Sequence, residues 1–469
     1  MTKPNIVFIF SDQQRADTMG YTGDPVAITP HLDRLATQGT VFSQCCTSSP
    51  VCMPARASIM TGLNVHEHGV WAFADPNIRH GQSHVRNIRD AGYRTGVVGK
   101  THLWPHGAGH AKTHQQEMQD WGFEDAREAT GPSESFKTES LYTDHLEAKG
   151  LLKSHRQYFD MYLNGERPFP WELPPSPLPA EDHLDMFIAG LANDWLQDSP
   201  KDQPFYLQVN FGGPHDPWDA PSSYRHMYNP DDIPLSMTAP RTGPKSSHVE
   251  LLLKHAPNKL TNMSAAQNRV MKSNYYSKVT LIDDCVGRII DKLKKLNVMN
   301  NTWILFSSDH GEMLGDHGLL AKKVFYDGAV NVPCLFRSPR GEGQGTLPAL
   351  TCHLDIVATL IDISGAEPLQ NCDGRSLLPM LNGKCIEDPR SAVLSELGLP
   401  PSAFIMVRTK TQKLSVEAAS RQPVEHYDLN QDPSELHNLV GDPDYDSARS
   451  EIVNEIMKPM LKTLDTTTW

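Results

Sequence analysis

Short apolar runs set off by polar clusters organise this chain. Asn5–Phe10 (NIVFIF) is nearly continuous in apolar residues, the pattern of a strand buried on both faces. Tyr93–Gly99 (YRTGVVG), Pro204–Phe211 (PFYLQVNF) and Thr302–Ser308 (TWILFSS) repeat that signal. Between the last two, Tyr275–Leu296 carries the helical period of a long amphipathic helix. In TPHLDRLATQG, Thr29 reads as a helix cap, Pro30 as the first helical residue and Gly39 as the stop. Strands alternating with helices predict an α/β protein, with a large mixed, mostly parallel sheet sandwiched by helices. From about residue 365 the elements shorten, and Ala403–Val416 has hairpin character. The expected division is a 1–365 domain carrying the chemistry and a smaller α+β subdomain over 366–469. Two proline-rich stretches, Glu166–Ala180 and Pro217–Lys245, read as long loops covering a site.

Each of these strands runs into a polar cluster. SDQQR comes after Phe10, KTHLW after Gly99, GGPHDPW after Phe211 and DHGEMLGDHG after Ser308. The carboxyl edge of an open parallel sheet is where ligands bind. Asp12, Asp309 and His310 therefore offer two carboxylates and an imidazole at one crevice, a set suited to a divalent cation such as calcium or manganese. Arg56, Lys100, His102, His215 and Lys322 add cationic or proton-bearing groups that fit a compact tetrahedral oxyanion, sulfate or phosphate. Each residue alone is as well explained by a helix cap or a surface charge. Asp12, Lys100, His102, His215, Asp309 and His310 share a position just after a strand signal.

Composition narrows the partners. The 469 residues are 39% hydrophobic and 21% charged, an ordinary globular balance. A net charge of -13 argues against nucleic acid or an anionic membrane as partner. No apolar run is long enough to span a bilayer. The opening MTKPNIVFIF lacks a signal-peptide core and cleavage site, so the expected location is cytoplasmic, or periplasmic if a leader has been removed. The eight cysteines, which include the adjacent Cys45 and Cys46, show no zinc spacing and read as buried thiols in a reduced compartment.

Cys52 stands apart. In SSPVCMPARASIMTG, Cys52-Met53-Pro54-Ala55-Arg56 resembles the sulfatase signature, in which the cysteine is oxidised after translation to formylglycine. NIVFIFSDQQRAD, GYRTGVVGKTHL, SSDHGEMLGDHGLLAKKVFYDGAVNVP and HYDLNQDPSELHNL resemble further segments of that family in the same order. The resemblance implies an alkaline phosphatase-like fold and a hydrolase of sulfate esters. It implies one divalent metal, calcium expected and manganese the alternative, held by Asp12, Gln13, residue 52, Asp309 and His310. Hydrated formylglycine would attack sulfur while Arg56, Lys100 and Lys322 hold the sulfate oxygens. His215 would protonate the leaving alcohol, and His102 would take the proton that restores the aldehyde. Lys322 is preferred to Lys323 because it lies four residues before Tyr326. Gln13 and His310, where many members have Asp and Asn, resemble the choline-sulfatase and phosphonate monoester hydrolase branches.

The implied partners are a formylglycine-generating enzyme and a small anionic substrate: a sulfated sugar, choline sulfate or an aryl sulfate. A homo-oligomer is compatible with all of this. Trp104, Trp218, His66 and Arg79 are candidate substrate contacts, with Trp71, Trp171 and His68 nearby in sequence; any one Trp is equally well read as loop packing. The rival readings are a phosphonate monoester or phosphodiester hydrolase using the same aldehyde, a non-catalytic binding protein on this fold, and a thiol nucleophile at Cys52.

Overall fold

The structure, a computed structural model, describes residues 3–72, 81–104, 109–163, 169–255, 260, 263–384, 390–461 and 464. Eight strands form the large sheet: β1 (Asn5–Asp12), β2 (Thr40–Cys46), β3 (Arg94–Gly99), β4 (Asp125–Glu128), β5 (Phe205–Pro214), β6 (Thr302–Ser308), β7 (Cys334–Arg337) and β8 (Gly345–Cys352). Their order is β4-β3-β5-β1-β6-β7-β2-β8. Every neighbouring pair is parallel except the two made by β7.

β1 sits at the centre, with Ile6 opposite Tyr206 of β5 and Trp303 of β6. Its side chains alternate between the two faces of the sheet, as strand geometry requires. Val7 and Ile9 enter one core with Leu281, Ile282 and Val286 of the long helix Ala265–Lys295. Ile6, Phe8 and Phe10 enter the other with Ile59, Val357 and Leu360. Truncating Phe8, fully buried, to Ala should cost about 3–5 kcal/mol.

The long helix starts at a capping box of Ser264 and Gln267 and ends with Lys292, Lys294 and Lys295 in its last turn, which complement the helix dipole. The Pro30–Thr37 helix departs from expectation at its start. Thr29 does not cap it; the Thr29 hydroxyl donates to Asp33 and accepts from the Gly20 N–H. The open N–H groups of His31 and Leu32 donate instead to the Asp283 carboxylate of the long helix, at 3.0 and 2.7 Å. A tertiary contact supplies what a local hydroxyl was expected to.

The C-terminal part carries a second sheet, antiparallel, in the order β12-β11-β10-β9: β9 (Ala392–Leu397), β10 (Phe404–Thr409), β11 (Gln412–Glu417) and β12 (Pro423–Asp428). β10 and β11 pair as the expected hairpin. Lys413 of β11 fastens this sheet to the segment after β6, pairing with Asp327 and donating to the Phe325 carbonyl at 3.0 Å. Among the described residues, no helix is long and apolar enough to cross a membrane.

Candidate active site

Parallel strands deliver their carboxyl ends to one edge, so Asp12 (β1), Lys100 (after β3), His215 (after β5) and Asp309–His310 (after β6) meet there. Gly99 makes the turn into Lys100 at φ +89°, where a Cβ would stand 2.0 Å from the Asn210 carbonyl oxygen. Only glycine lets β3 end this close to β5. Gln13 and His102, also past strand ends, hold left-handed backbone at φ 64° and 55°. Such strain in residues with a Cβ is tolerated where the surroundings over-determine it, commonly at functional sites.

Cys52 is the first residue of the buried helix Cys52–Thr61 and points into this edge. Its Sγ lies 3.1 Å from His310 Nε2, 3.0 Å from Lys322 Nζ and 3.8 Å from Asp12 Oδ1. His310 donates from Nδ1 to the Gly311 carbonyl at 2.9 Å, which turns its Nε2 toward Cys52. Burial alone would raise the Cys52 thiol pKa, but Lys322, Lys100 and His310 outweigh it and hold the thiol well below its usual range.

Arg56, one turn along the same helix, uses its whole guanidinium. It donates to Asp309 Oδ2 at 2.9 Å, to Asp12 Oδ2 at 3.1 Å and to the Lys100 carbonyl at 2.6 Å. Lys100 Nζ also pairs with Asp12 Oδ2. Burial would raise the Asp12 pKa and the Cys52 thiolate adds to it; Lys100, His215 and Arg56 prevail and hold the carboxyl below its ordinary range.

The two histidines are pushed apart. Burial and Lys322 would lower the His215 pKa, but Asp216 and Asp12 raise it above the ordinary value; its Nδ1 donates to the Asp216 carbonyl at 2.7 Å. Burial holds His102 below its ordinary value despite the neighbouring Cys52. Groups with opposed shifts in one crevice suit complementary acid and base roles.

A cavity of about 490 Å³ opens over Cys52 and is lined by Lys100, His102, His215 and Lys322 among others. Lys322 reaches Cys52 and Gln13, while the neighbouring Lys323 is exposed. Arg56 serves the carboxylates from behind and is not part of the cavity wall. The donor atoms of Asp12, Cys52, Asp309 and His310 lie within 4.8 Å of one another. Two carboxylates and the adjacent Gln13 amide suit calcium or manganese; the imidazole is a softer donor, and the sulfur is a misfit that an oxygen at position 52 would remove.

Of the expected substrate contacts, His66, Trp104 and Trp218 do not line this cavity. His66 pairs with Glu396 of β9 at 2.8 Å, and His68 meets the Ser58 hydroxyl at 3.0 Å, so both fasten helices. Trp104 is buried, stacks on His114 at 3.9 Å and donates from Nε1 to Glu128. Trp71 packs under the small sheet. Trp218 packs on Tyr275 and lines a side cavity of about 80 Å³ together with Asp216, Glu312 and Tyr162; Trp171 packs beside it. Arg79 lies outside the described residues. Sequence reasoning missed Glu312, although it stands three residues after Asp309 in the same polar cluster, because its partner Gln13 is 299 positions away.

A mixed, mostly parallel sheet with this crevice of carboxylates and cations at its carboxyl edge defines a hydrolase of anionic esters. The sulfatase family profile matches residues 4–366, and the chain belongs to that family. Residues 315–462 match a profile described as the C-terminal part of N-sulphoglucosamine sulphohydrolase. An arylsulfatase of Clostridium perfringens is 28% identical over 99% of this chain and 95% of its own length. A choline-sulfatase of Rhizobium meliloti is 29% identical over 94% and 83%. The crystal structure of a phosphonate monoester hydrolase of Agrobacterium radiobacter superposes with a TM-score of 0.81 at 25% identity, covering 99% of this chain and 97% of that one. The protein is accordingly a sulfuric ester hydrolase of alkaline phosphatase-like fold.

Proposed function

We propose that the enzyme cleaves sulfate esters with a formylglycine made from Cys52 and a divalent cation held by Asp12, Gln13, Asp309 and His310. The observation that carries this reading is the convergence of Lys322, His310 and Asp12 on the Cys52 side chain inside the cavity. A hydrated formylglycine beside the cation would supply an activated hydroxyl nucleophile and offset charge developing on the sulfate. The chain's own residues do the rest. Lys100 and Lys322 bind and orient the sulfate oxygens from the cavity wall. Arg56 holds Asp12 and Asp309 in place. His215, with Nδ1 committed to the Asp216 carbonyl, presents Nε2 and its raised proton affinity to the leaving oxygen. His102, biased to the neutral form, accepts the proton released when sulfate departs.

A second reading keeps the same groups for phosphonate monoesters. The Asp12–Gln13 and Asp309–His310 pairs and two phosphonate monoester hydrolase structures, with TM-scores of 0.81 and 0.82, favour it. Calcium is the expected ion, with manganese the alternative.

The first experiment is the mass of the Cys52 peptide from protein co-expressed with a formylglycine-generating enzyme. Replacement of sulfur by oxygen with loss of two hydrogens, or its hydrate, supports the proposal and differs from ordinary thiol oxidation. An unmodified thiol under those conditions sinks it. With mature enzyme, a strong preference for aryl phosphonate over aryl sulfate would favour the second reading.

A further inference from the structure

Glu312 is fully buried beside the cation site, and neither sulfate binding nor proton transfer gives it a task. Its Oε1 accepts from the backbone N–H groups of Leu314 at 2.9 Å and Ala321 at 2.5 Å. Its Oε2 accepts from Gln13 Nε2. At the other end of the same amide, Gln13 Oε1 accepts from Lys322 Nζ at 2.6 Å. A carboxylate can only accept and an ammonium can only donate. The Gln13 amide therefore has one permitted orientation, nitrogen to Glu312 and oxygen to Lys322. The backbone of Gln13 is pinned as well, its N–H on Asp309 Oδ1 at 3.0 Å and its carbonyl accepting from Tyr275 at 2.9 Å.

We propose that Glu312 is a positioning residue that locks the Gln13 amide with its oxygen toward Lys322 and the cation. Gln13 thereby offers a neutral oxygen, while the negative charge stands one residue farther out, on Glu312. The part of this inference that concerns the cation rests on the proposed metal site; the part that concerns the amide does not.

Glu312→Gln tests it. Leu314 and Ala321 require an acceptor, so the new amide oxygen must face them and its NH₂ must face Gln13. Gln13 then has to turn over and present NH₂ to Lys322 and the cation. The companion Gln13→Glu sets two carboxylates against each other. The double variant Gln13→Glu/Glu312→Gln restores a donor at 312, an acceptor facing it and an oxygen toward Lys322. Two readouts are measured on all four proteins: chemical unfolding after EDTA treatment, and calorimetric binding of Ca²⁺ and of Mn²⁺.

Each single variant is expected to be less stable than the parent, with the double variant recovering most of the loss. Glu312→Gln should weaken ion binding about 10–100-fold, the usual consequence of losing a ligand-orienting partner, and the double variant should regain it. Additive losses, or a double variant worse than both singles, overturn the proposal. A parent that binds neither ion removes the metal reading, and the unfolding cycle in metal-free protein still decides whether Glu312 orients Gln13. If Glu312→Gln does not fold, Gln13→Glu against the double variant decides the same question: recovery supports the proposal, and failure to recover overturns it.

Discussion

At the scale of single residues, Arg56 illustrates how little freedom the site has. Its guanidinium spans two carboxylates and a carbonyl from one side chain. Lysine carries the same charge but cannot reach three acceptors with a planar fork. Arg56→Lys should therefore lower kcat/KM on an aryl sulfate about 10–100-fold, comparable to losing a partner that orients metal ligands. Arg56→Ala should in addition destabilise the metal-free protein by about 3–5 kcal/mol, because Asp12 and Asp309 would lose a buried partner. Kinetics and unfolding of the two variants separate these effects, and near-normal kcat/KM for Arg56→Lys would contradict the argument. Cys52, Arg56 and Lys322 were legible in the sequence because each sits in a contiguous stretch with its own pattern. The tasks of His66 and Trp104 were not, since they depend on Glu396 and Glu128, which sequence spacing does not connect to them.

At the scale of elements, the loop that carries His215 is held at both ends by one buried charge cluster. Asp185, in the helix Leu184–Gln197, accepts from the N–H groups of Gly212 and Gly213, both at 2.9 Å, just before His215. Asp219, just after it, pairs with Lys278 of the long helix at 3.2 Å and with His183 at 3.5 Å. Lys278 lies 3.5 Å from Asp185 as well and is completely buried. Burial would lower the Lys278 pKa, but Asp219 and Asp185 raise it above its ordinary value, so the ammonium is secured. Lys278→Met removes the ammonium that both carboxylates contact and leaves them beside His183, 3.6 Å from Asp185 and 3.5 Å from Asp219. It should cost about 3–5 kcal/mol in denaturant unfolding and lower kcat more than it raises KM, because His215 loses its fixed approach. Unchanged stability would mean that the carboxylates take up protons or find other partners. The long helix itself was evident from its periodicity, but Lys278 was not. An amphipathic pattern assigns a lysine to solvent, whereas this helix is buried from Ser273 through Asp283 and must satisfy its polar groups internally.

At the scale of the whole molecule, buried histidines set the response to acid. His84, His155, His317, His353 and His426 are all pushed down by burial from the ordinary value of 6.5 to about 4. Between those limits the unfolded chain binds protons that the folded protein refuses, so stability rises with pH across the interval. Three buried carboxyls oppose this. Glu128, Asp283 and Glu435 are raised by burial to about 7, so in the same interval the folded protein holds protons that the unfolded chain has released. Smaller shifts fall on both sides, with His102 and His248 lowered and Glu67, Glu312, Glu425, His66 and His215 raised. Asp219 and Asp327, held below the usual carboxylate range against their own burial, chiefly by Lys278 and Lys413, contribute stability that is lost only at lower pH. The five strongly shifted histidines outnumber the three strongly shifted carboxyls, so the net slope is positive. Melting temperature should climb by a few degrees from about pH 4.5 to 6.5, at about 1 °C for each 1 kcal/mol in a chain of this size. Calorimetry on metal-free protein across that range checks it. A melting temperature that falls over the interval would mean that the buried carboxyls, and not the histidines, dominate proton linkage.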